Sequence, residues 1–365
     1  MLNRLGTMII SIIFLLFLNS CAYSTPLHQR LIIEAIGIDK ENEEYVVTVQ
    51  YLKVESEEEG ESVGVSTCKG KSVFDALVSL TKKTEMVPMY SHNSFLLIGE
   101  DAAREGVSAC LDFFVKHYES RPSSYIFIAR GHKANDILTL KSDDEYIPSK
   151  KVAEFCSDSN STGNIIAADV VKFISDLENK AADPCTTAIS IDESGEEKAI
   201  VIDGTAIFKD DRLIDFIDED ETMSILLLKG KNVKGTMSFD DEEGSKTYEI
   251  INSNNKIEVE ERNGKIVFKI AIDVKANLYD IGKNNIKSYS QINQKPDLSL
   301  TLNENLRKLC NDTLRKVLYK YRIDAFDFGK YILKNKPKLA YRIENKEEFI
   351  SSTEIEVDVK TKIMN

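Results

Sequence analysis

The chain reads as an α+β protein: three mixed α/β domains, each a sheet with packed helices, behind a cleaved lipoprotein signal. Three observations predict this. Strand-sized apolar runs alternate with helical patterns through the first half. A period-two apolar run meets the turn pair Asn263-Gly264 in the last third. A helical stripe from Leu302 to Tyr321 then precedes an alternating strand from Thr353 to Ile363.

Residues 1–20 have the form of a signal peptide, with Arg4 ahead of an apolar run from Met8 to Leu18. That run is roughly half of the about 20 residues a helix needs to span a bilayer. The sequence Leu18-Asn19-Ser20-Cys21 places a small residue directly before a cysteine and leucine three positions before it. This fits a bacterial lipoprotein cleavage site and makes Cys21 the lipidated first residue of the mature chain, with residues 21–28 as its tether. An ordinary secretory signal with an incidental cysteine is the competing reading. After Cys21 no apolar stretch is long enough to span a bilayer as a helix, so a tethered extracytoplasmic body is expected.

In the first domain, 29–141, Leu31 to Ile38 and Tyr45 to Val54 read as strands around the turn Asp39-Lys40-Glu41-Asn42. Glu55 to Gly64 is too acidic and glycine-rich to bury. Ser72 is an N-cap candidate, followed by Asp75 in the first turn and then Ala76, Leu77 and Leu80. Phe95 to Ile98 is a strand ending at Gly99. Ala102 to Tyr118 reads as one helix with Val107, Leu111, Phe114 and Val115 on a common face, stopped by Pro122. Tyr125 to Ala129 is the last strand of this block, which closes at Gly131.

The middle domain, 142–250, is less regular. Ala168 to Leu177 reads as a short amphipathic helix, and Pro184 begins an extended stretch through Ile189 and Ile191. Ile200 to Ile202 and Thr205 to Phe208 read as strands interrupted by Asp203-Gly204. A turn at Lys209-Asp210-Asp211 leads into Leu213 to Ile217, and the acidic run Asp218 to Glu221 resembles a helix start.

The third domain, 251–365, has the clearest periodicity. Lys256 to Glu260 and Lys265 to Val274 flank Asn263-Gly264, two residues that tolerate positive φ and signal a hairpin. Ile266, Phe268, Ile270, Ile272 and Val274 are expected to share one buried face. Leu302, Leu306, Leu309, Thr313, Val317 and Tyr321 mark a helix long enough to lie across that sheet.

Composition excludes several functions. A net charge of -13 argues against nucleic acid or anionic lipid headgroups as partners of the folded body. Removing Cys21 from the six cysteines leaves Cys68, Cys110, Cys156, Cys185 and Cys310, an odd and widely spaced set that does not read as a disulfide framework, although an extracytoplasmic compartment permits disulfides among them. Cys110 and Cys310 lie within helical patterns and read as small core residues. His28, His92, His117 and His132 are far apart, and His92 reads as a polar rim residue at a strand start. The run Asp218-Glu219-Asp220-Glu221 carries Met223 and Lys229 where a calcium hand needs glycine and glutamate. Asp203-Gly204-Thr205 reads as a strand–turn, not an aspartic protease signature. There is no nucleophile elbow, P-loop or dinucleotide fingerprint. No catalytic residue, metal or cofactor is expected, and the chain is read as a non-enzyme.

The order of motifs resembles the Ger(x)C spore germination lipoproteins. The resemblance begins with Cys21 and with Glu34-Ala35-Ile36-Gly37-Ile38-Asp39 leading into Tyr45-Val46-Val47-Thr48-Val49. It continues through His92 to Gly99, Arg121 with Tyr125 to Gly131, and Gly204 to Leu213. It closes with Asp324-Ala325-Phe326-Asp327-Phe328-Gly329 and the final strand. The chain differs from the family in carrying Ala22-Tyr23-Ser24 after the cysteine, where a Trp and acidic residues are usual, and in having no Trp.

The resemblance implies a C subunit of a nutrient germinant receptor, lipid-anchored on the outer surface of the spore inner membrane. Its implied partners are the A subunit and a permease-like B subunit, which it would scaffold or couple during germination; a nutrient ligand stays unassigned. Read from the residues alone, Gly37, Gly99, Gly131 and Gly204 permit turns or close approach. Arg121 and Arg130 read as packing or ion-pair residues, and Phe326 and Phe328 as core plugs beside the long helix. A solute-binding lipoprotein of a transporter is the alternative function, marked by a two-lobed body with a deep cleft.

Overall fold

A computed structural model describes residues 26, 29–53, 62–141, 148–158, 163–241, 244–281 and 296–364. The signal (1–20) and Cys21 lie outside the described residues.

The first strands, β1 (Arg30–Glu41), β2 (Glu44–Lys53) and β3 (Ser62–Gly70), form an antiparallel meander turned at Asn42, which takes φ 55°. Next come α1 (Val73–Thr84), β4 (Val87–Met89), β5 (Phe95–Gly99), α2 (Glu100–Glu105), α3 (Ser108–Lys116), β6 (Tyr125–Ala129) and α4 (Ala134–Leu138). The Ser72 hydroxyl caps α1 by accepting the Asp75 N–H at 3.1 Å, as the sequence indicates. The single helix expected over Ala102 to Tyr118 is two helices. Gly106 takes φ 143°, and the Val107 N–H leaves the helical ladder to reach the Asp211 carbonyl at 2.8 Å. The apolar stripe persists across the break, which is why periodicity alone does not reveal it.

The chain continues as α5 (Pro148–Asp158), β7 (Ala168–Asp169), α6 (Val170–Glu178), β8 (Cys185–Asp192), β9 (Ala199–Lys209), β10 (Arg212–Ile217) and α7 (Glu219–Leu228). Asp203-Gly204 does not interrupt β9, contrary to the pattern reading. Gly204 takes φ 77° inside a continuous strand, and a Cβ there would lie 1.9 Å from the Ile217 carbonyl oxygen. Gly204→Ala therefore combines left-handed strain with a backbone clash, and a loss of at least about 2 kcal/mol is expected in urea unfolding. The acidic run at 218–221 is the helix start it resembles. Asp218 accepts the Glu221 N–H at 2.7 Å, and Glu221 accepts the Asp218 N–H at 3.1 Å, a capping box.

Ten strands join in one sheet of order β10-β9-β8-β6-β5-β1-β2-β3, with β4 on β1 and β7 on β6. The central β1, β5, β6 and β8 are parallel, with antiparallel wings. Each face is covered. Leu96, Ile98, Ile126 and Ile128 point into a core under α1, α3 and α6. Phe95, Leu97, Phe127 and Ala129 point the other way, into a core under α4 and α5. This is why Phe95 to Gly99 reads as an unbroken apolar run.

The last part holds β11 (Gly235–Asp241), β12 (Gly244–Arg262), β13 (Lys265–Ile281), α8 (Pro296–Leu314), α9 (Phe328–Asn335), α10 (Lys346–Ser351) and β14 (Thr353–Ile363). The four strands make a second sheet in chain order, with β14 parallel to β13. Asn263 (φ 52°) and Gly264 (φ 77°) turn the β12–β13 hairpin as predicted. Ile266, Phe268, Ile270, Ile272 and Val274 are buried on one face, against Leu302, Leu306, Cys310 and Leu314 of α8. The helix continues through a π-helical turn, Arg315–Lys320, that keeps Val317 and Leu318 in the core. The α+β class therefore holds. The segments 29–141 and 142–250 meet in the ten-stranded sheet, where β6 neighbours β8, and position 250/251 falls inside β12.

Candidate functional site

The run Asp324-Ala325-Phe326-Asp327-Phe328-Gly329 forms the turn into α9, and it is also where the two sheets are fastened together. The Asp324 carboxylate is buried and accepts the N–H groups of Phe326 (3.2 Å), Phe328 (3.1 Å) and Gly329 (2.8 Å). Asp327 takes the left-handed φ of 62°, which a short polar side chain tolerates. Phe326 and Phe328 stack with centroids 5.3 Å apart, and Phe328 lies 4.8 Å from Phe268 of β13. Both are buried, in the core-plug role read from the sequence. A Cβ on Gly329 would sit 2.4 Å from the Ala181 carbonyl oxygen, so the start of α9 presses directly onto the loop between α6 and β8.

That loop answers with its own polar groups. The Asp183 N–H donates to the Asp324 carbonyl at 3.1 Å, and the Asp324 N–H donates to Asp183 Oδ2 at 2.7 Å. Lys346 Nζ, at the start of α10, reaches Asp183 Oδ1 at 2.5 Å. Asp176 of α6 is buried between Lys172 (2.6 Å) and Lys330 (2.5 Å). Lys330 also reaches Asp327 at 3.0 Å. Lys229, just after α7, donates to Asp327 Oδ2 at 2.8 Å and to the Ala325 carbonyl at 3.0 Å.

Charge states follow from these contacts. Burial raises the Asp183 carboxyl, with Lys346 opposing it. Burial pushes Asp324 up to about 7 against the pull of its N–H donors. Asp327 is also disfavoured by burial, yet Lys229 and Lys330 hold it at about 2. The joint is therefore a satisfied polar network linking α6 and the β8 entrance to α7, α9 and α10. Such a network fixes the relative position of two bodies. Beside it lies a cleft of about 490 Å³ lined by Tyr125, Asp169, Lys172, Lys229, Lys231 and Asp327.

A second concavity, about 330 Å³, opens at the carboxyl ends of β1, β5 and β6, bordered by Asp39, Glu100, Gly131, His132 and Lys133. In open α/β sheets this is the usual ligand crevice. Here Asp39 is buried and accepts the N–H groups of Ala134 (2.8 Å) and Asn135 (2.9 Å), so its carboxylate is occupied in starting α4. Gly99 leaves room for it, since a Cβ there would lie 2.1 Å from Asp39 Oδ1.

The other residues singled out by sequence have separate places. Cys21 and His28 lie outside the described residues. His92 is exposed, and His117 stacks on Phe113 at 4.7 Å while its Nδ1 accepts the Glu119 N–H at 3.3 Å. Arg130 pairs with Asp203 at 2.8 Å and lies over the Phe216 ring, whereas the exposed Arg121 donates its Nε–H to Ser123 Oγ at 3.1 Å. Cys68, Cys110, Cys185 and Cys310 are free and buried; burial pushes Cys110 up to about 12 and Cys310 up to about 11, leaving both as thiols. Among the described residues no group of three His, Cys, Asp or Glu side chains could hold a metal ion.

The sequence singles out Asp324–Gly329 as a motif of the resemblance but gives neither its turn nor its partners. Asp183 lies 141 positions from Asp324, Lys330 154 from Asp176, and Lys346 163 from Asp183. No local pattern connects such pairs.

Comparison with known proteins covers both sides of this joint. Residues 24–191 match the spore germination protein N-terminal domain, and residues 203–365 match the spore germination B3/GerAC-like C-terminal domain. The chain is 27% identical to spore germination protein B3 of Bacillus subtilis (strain 168) over 364 residues, covering 96% of this chain and 95% of that protein. It is 23% identical to spore germination protein KC of the same organism, covering 96% and 93% of the two chains. The crystal structure of the GerBC protein superposes with a TM-score of 0.60 at 26% identity, over 90% of this chain and 97% of that one. With the two domains matched in order on either side of the joint, the chain belongs to the Ger(x)C family of spore germination proteins.

Proposed function

We propose that this chain is the C subunit of a spore nutrient germinant receptor. It is held by lipid on Cys21 at the outer surface of the spore inner membrane, where it couples an A subunit to a permease-like B subunit. The observation that carries this reading is the ordered match of both germination domains across nearly the whole body. The polar joint supports a coupling role, because a load applied to one sheet reaches the other through fixed hydrogen bonds. Among the described residues no helix is long and apolar enough to cross a membrane, so membrane residence in this reading rests on Cys21.

The test is an affinity pull-down of the tagged chain from crosslinked, detergent-solubilised spore inner membranes, read by mass spectrometry. Recovery of a permease-like protein and its large membrane partner supports the reading; clean recovery without them overturns it. Cys21→Ser is expected to move most of the protein from the membrane fraction to the soluble fraction of broken spores, measured by immunoblot. A second reading, a solute-binding lipoprotein, is favoured only by the cleft beside the joint. Micromolar binding of an amino acid or sugar in calorimetry, abolished by Lys231→Glu, would establish it.

A further inference from the structure

Helices α3 and α6 stand side by side on one face of the first sheet, and the groove between them is apolar and open. It measures about 820 Å³ and is lined by Phe114, Val115, Pro122, Val170, Val171 and Ile174. Val115 is 56% exposed, Val171 59%, and Tyr118 just beyond α3 is 88% exposed. Clustered large apolar side chains on a protein surface mark a contact face.

The position of the groove says what it meets. The Val170 N–H donates to the Ser124 carbonyl at 3.0 Å and the Val171 N–H to the Pro122 carbonyl at 3.3 Å. The groove thus opens at the end of the sheet where β1, β5 and β6 begin. Arg30, the first residue of β1, is fixed there by an ion pair with Glu119 at 3.2 Å. Just upstream, the Gln29 N–H bonds the Pro26 carbonyl at 3.0 Å. Cys21 is five residues before Pro26 in the sequence. Fully extended, that length spans at most about 18 Å. A lipid on Cys21 therefore holds this end of the molecule close to the bilayer in any conformation of the tether.

Charge agrees with position. The chain as a whole carries -13, which repels an anionic surface. The groove lining itself, however, carries one acid and one base, Glu178 and Lys180, and is otherwise uncharged. The groove therefore adds no net negative charge of its own against a bilayer.

We propose that the α3–α6 groove is a bilayer-docking face. Val115 and Val171 enter the boundary between headgroups and acyl chains, Tyr118 sits at headgroup depth, and the Lys180 stem reaches up to a lipid phosphate. This inference rests on the reading of Cys21 as the lipid-bearing residue, because the short tether from that lipid is what brings the groove to the bilayer. Docking would also fix the orientation of the joint relative to membrane partners.

The chain has no tryptophan, so one introduced residue is a unique reporter. Tyr118→Trp is placed in the full chain, matured in a host with lipoprotein processing, and reconstituted into phosphatidylcholine–phosphatidylglycerol vesicles containing brominated lipid. Tyr341→Trp, at a site 59% exposed in the C-terminal part, is the control. The Tyr118→Trp reporter is expected to shift to the blue and lose at least half its emission, while the control is unchanged. Adding Val115→Glu and Val171→Glu should abolish the quenching and leave the melting temperature as it was.

Mass spectrometry of the N-terminal peptide reports the lipid on Cys21 separately. If that lipid is absent, the anchoring reading fails, and an N-terminal histidine tag on nickel-chelating lipid carries the same docking measurement. With the chain held on the vesicles either way, equal quenching at both positions, or none at Tyr118→Trp, overturns the proposal. Quenching that requires a co-reconstituted membrane protein also overturns it, in favour of a protein partner for the groove.

Discussion

Asp324→Ala is expected to cost about 3–5 kcal/mol, among the largest losses available to a single substitution in this chain. The carboxylate satisfies three buried N–H groups at the turn into α9, and alanine satisfies none of them. The same turn donates the Asp324 N–H to Asp183 Oδ2 and accepts the Asp183 N–H at its carbonyl, so a loosened turn leaves the buried Asp183 carboxylate with Lys346 alone. Asp324→Asn keeps an acceptor for some of the three donors and should fall between wild type and alanine. Urea unfolding followed by far-ultraviolet circular dichroism measures both. A loss under about 1 kcal/mol for the alanine variant would mean that the turn is held by Phe326 and Phe328 packing instead.

The same residue gives the joint a pH signature. Burial puts Asp324 at about 7 in the folded chain against an ordinary 3.8. A raised carboxyl contributes stability that is fully present below its unfolded value and lost as pH rises through the folded one. Stability should therefore decline between about pH 4 and pH 7 in the wild type, and that slope should flatten in Asp324→Asn. Melting temperatures at pH 5 and pH 8 for the two proteins test it, since an equal drop in both would place the titration elsewhere.

Much of the scaffold was legible in the sequence because local chemistry specifies it. Tyr125 to Ala129 and Thr353 to Ile363 are strands at the residues read, Asn263-Gly264 turns the hairpin, and Ser72 and Asp218 cap the helices they precede. What escaped was set by distant partners. Strand β3, Ser62–Gly70, takes in the end of the segment Glu55 to Gly64 read as too acidic and glycine-rich to bury; Gly64 is buried there because β2 offers the strand a full ladder from Tyr45 to Lys53. Strand β11 is equally polar and pairs along β12. The five-residue helix α4 depends on Asp39, 95 positions before Ala134, to accept its first N–H groups. The joint followed the same rule. Its segment Asp324–Gly329 stood out only as a motif of the family resemblance, with Phe326 and Phe328 read as core plugs, and Lys229, Asp176 and Asp183 are assigned to it only by the fold.

Asp327→Asn should destabilise the chain by about 3 kcal/mol, because it removes the carboxylate from a buried lysine while leaving the lysine in place. The Lys229 side chain is 9% exposed and sits 2.8 Å from Asp327. Burial works against its charge, and the neighbouring Cys185, Asp327 and Asp324 outweigh that effect and keep it protonated. Asparagine tolerates the φ of 62° at this position, so the substitution changes the charge without adding backbone strain. Lys330 retains Asp176 and is not stranded. Replacing the lysine as well, in Lys229→Met/Asp327→Asn, removes the unpaired charge and puts an apolar side chain of similar length beside Cys185 and the α7 core. That double variant should recover at least half of the loss, giving a coupling energy above about 1 kcal/mol in a double-mutant cycle. Additive losses would show that Lys229 acts through its bond to the Ala325 carbonyl and not through the ion pair. The pH dependence separates the two cases again. With Asp327 held at about 2, the pair's contribution is present above about pH 4 and disappears as pH falls through 2. The acid limb of the wild-type stability profile should therefore be shallower in Asp327→Asn if the ion pair is what Lys229 contributes.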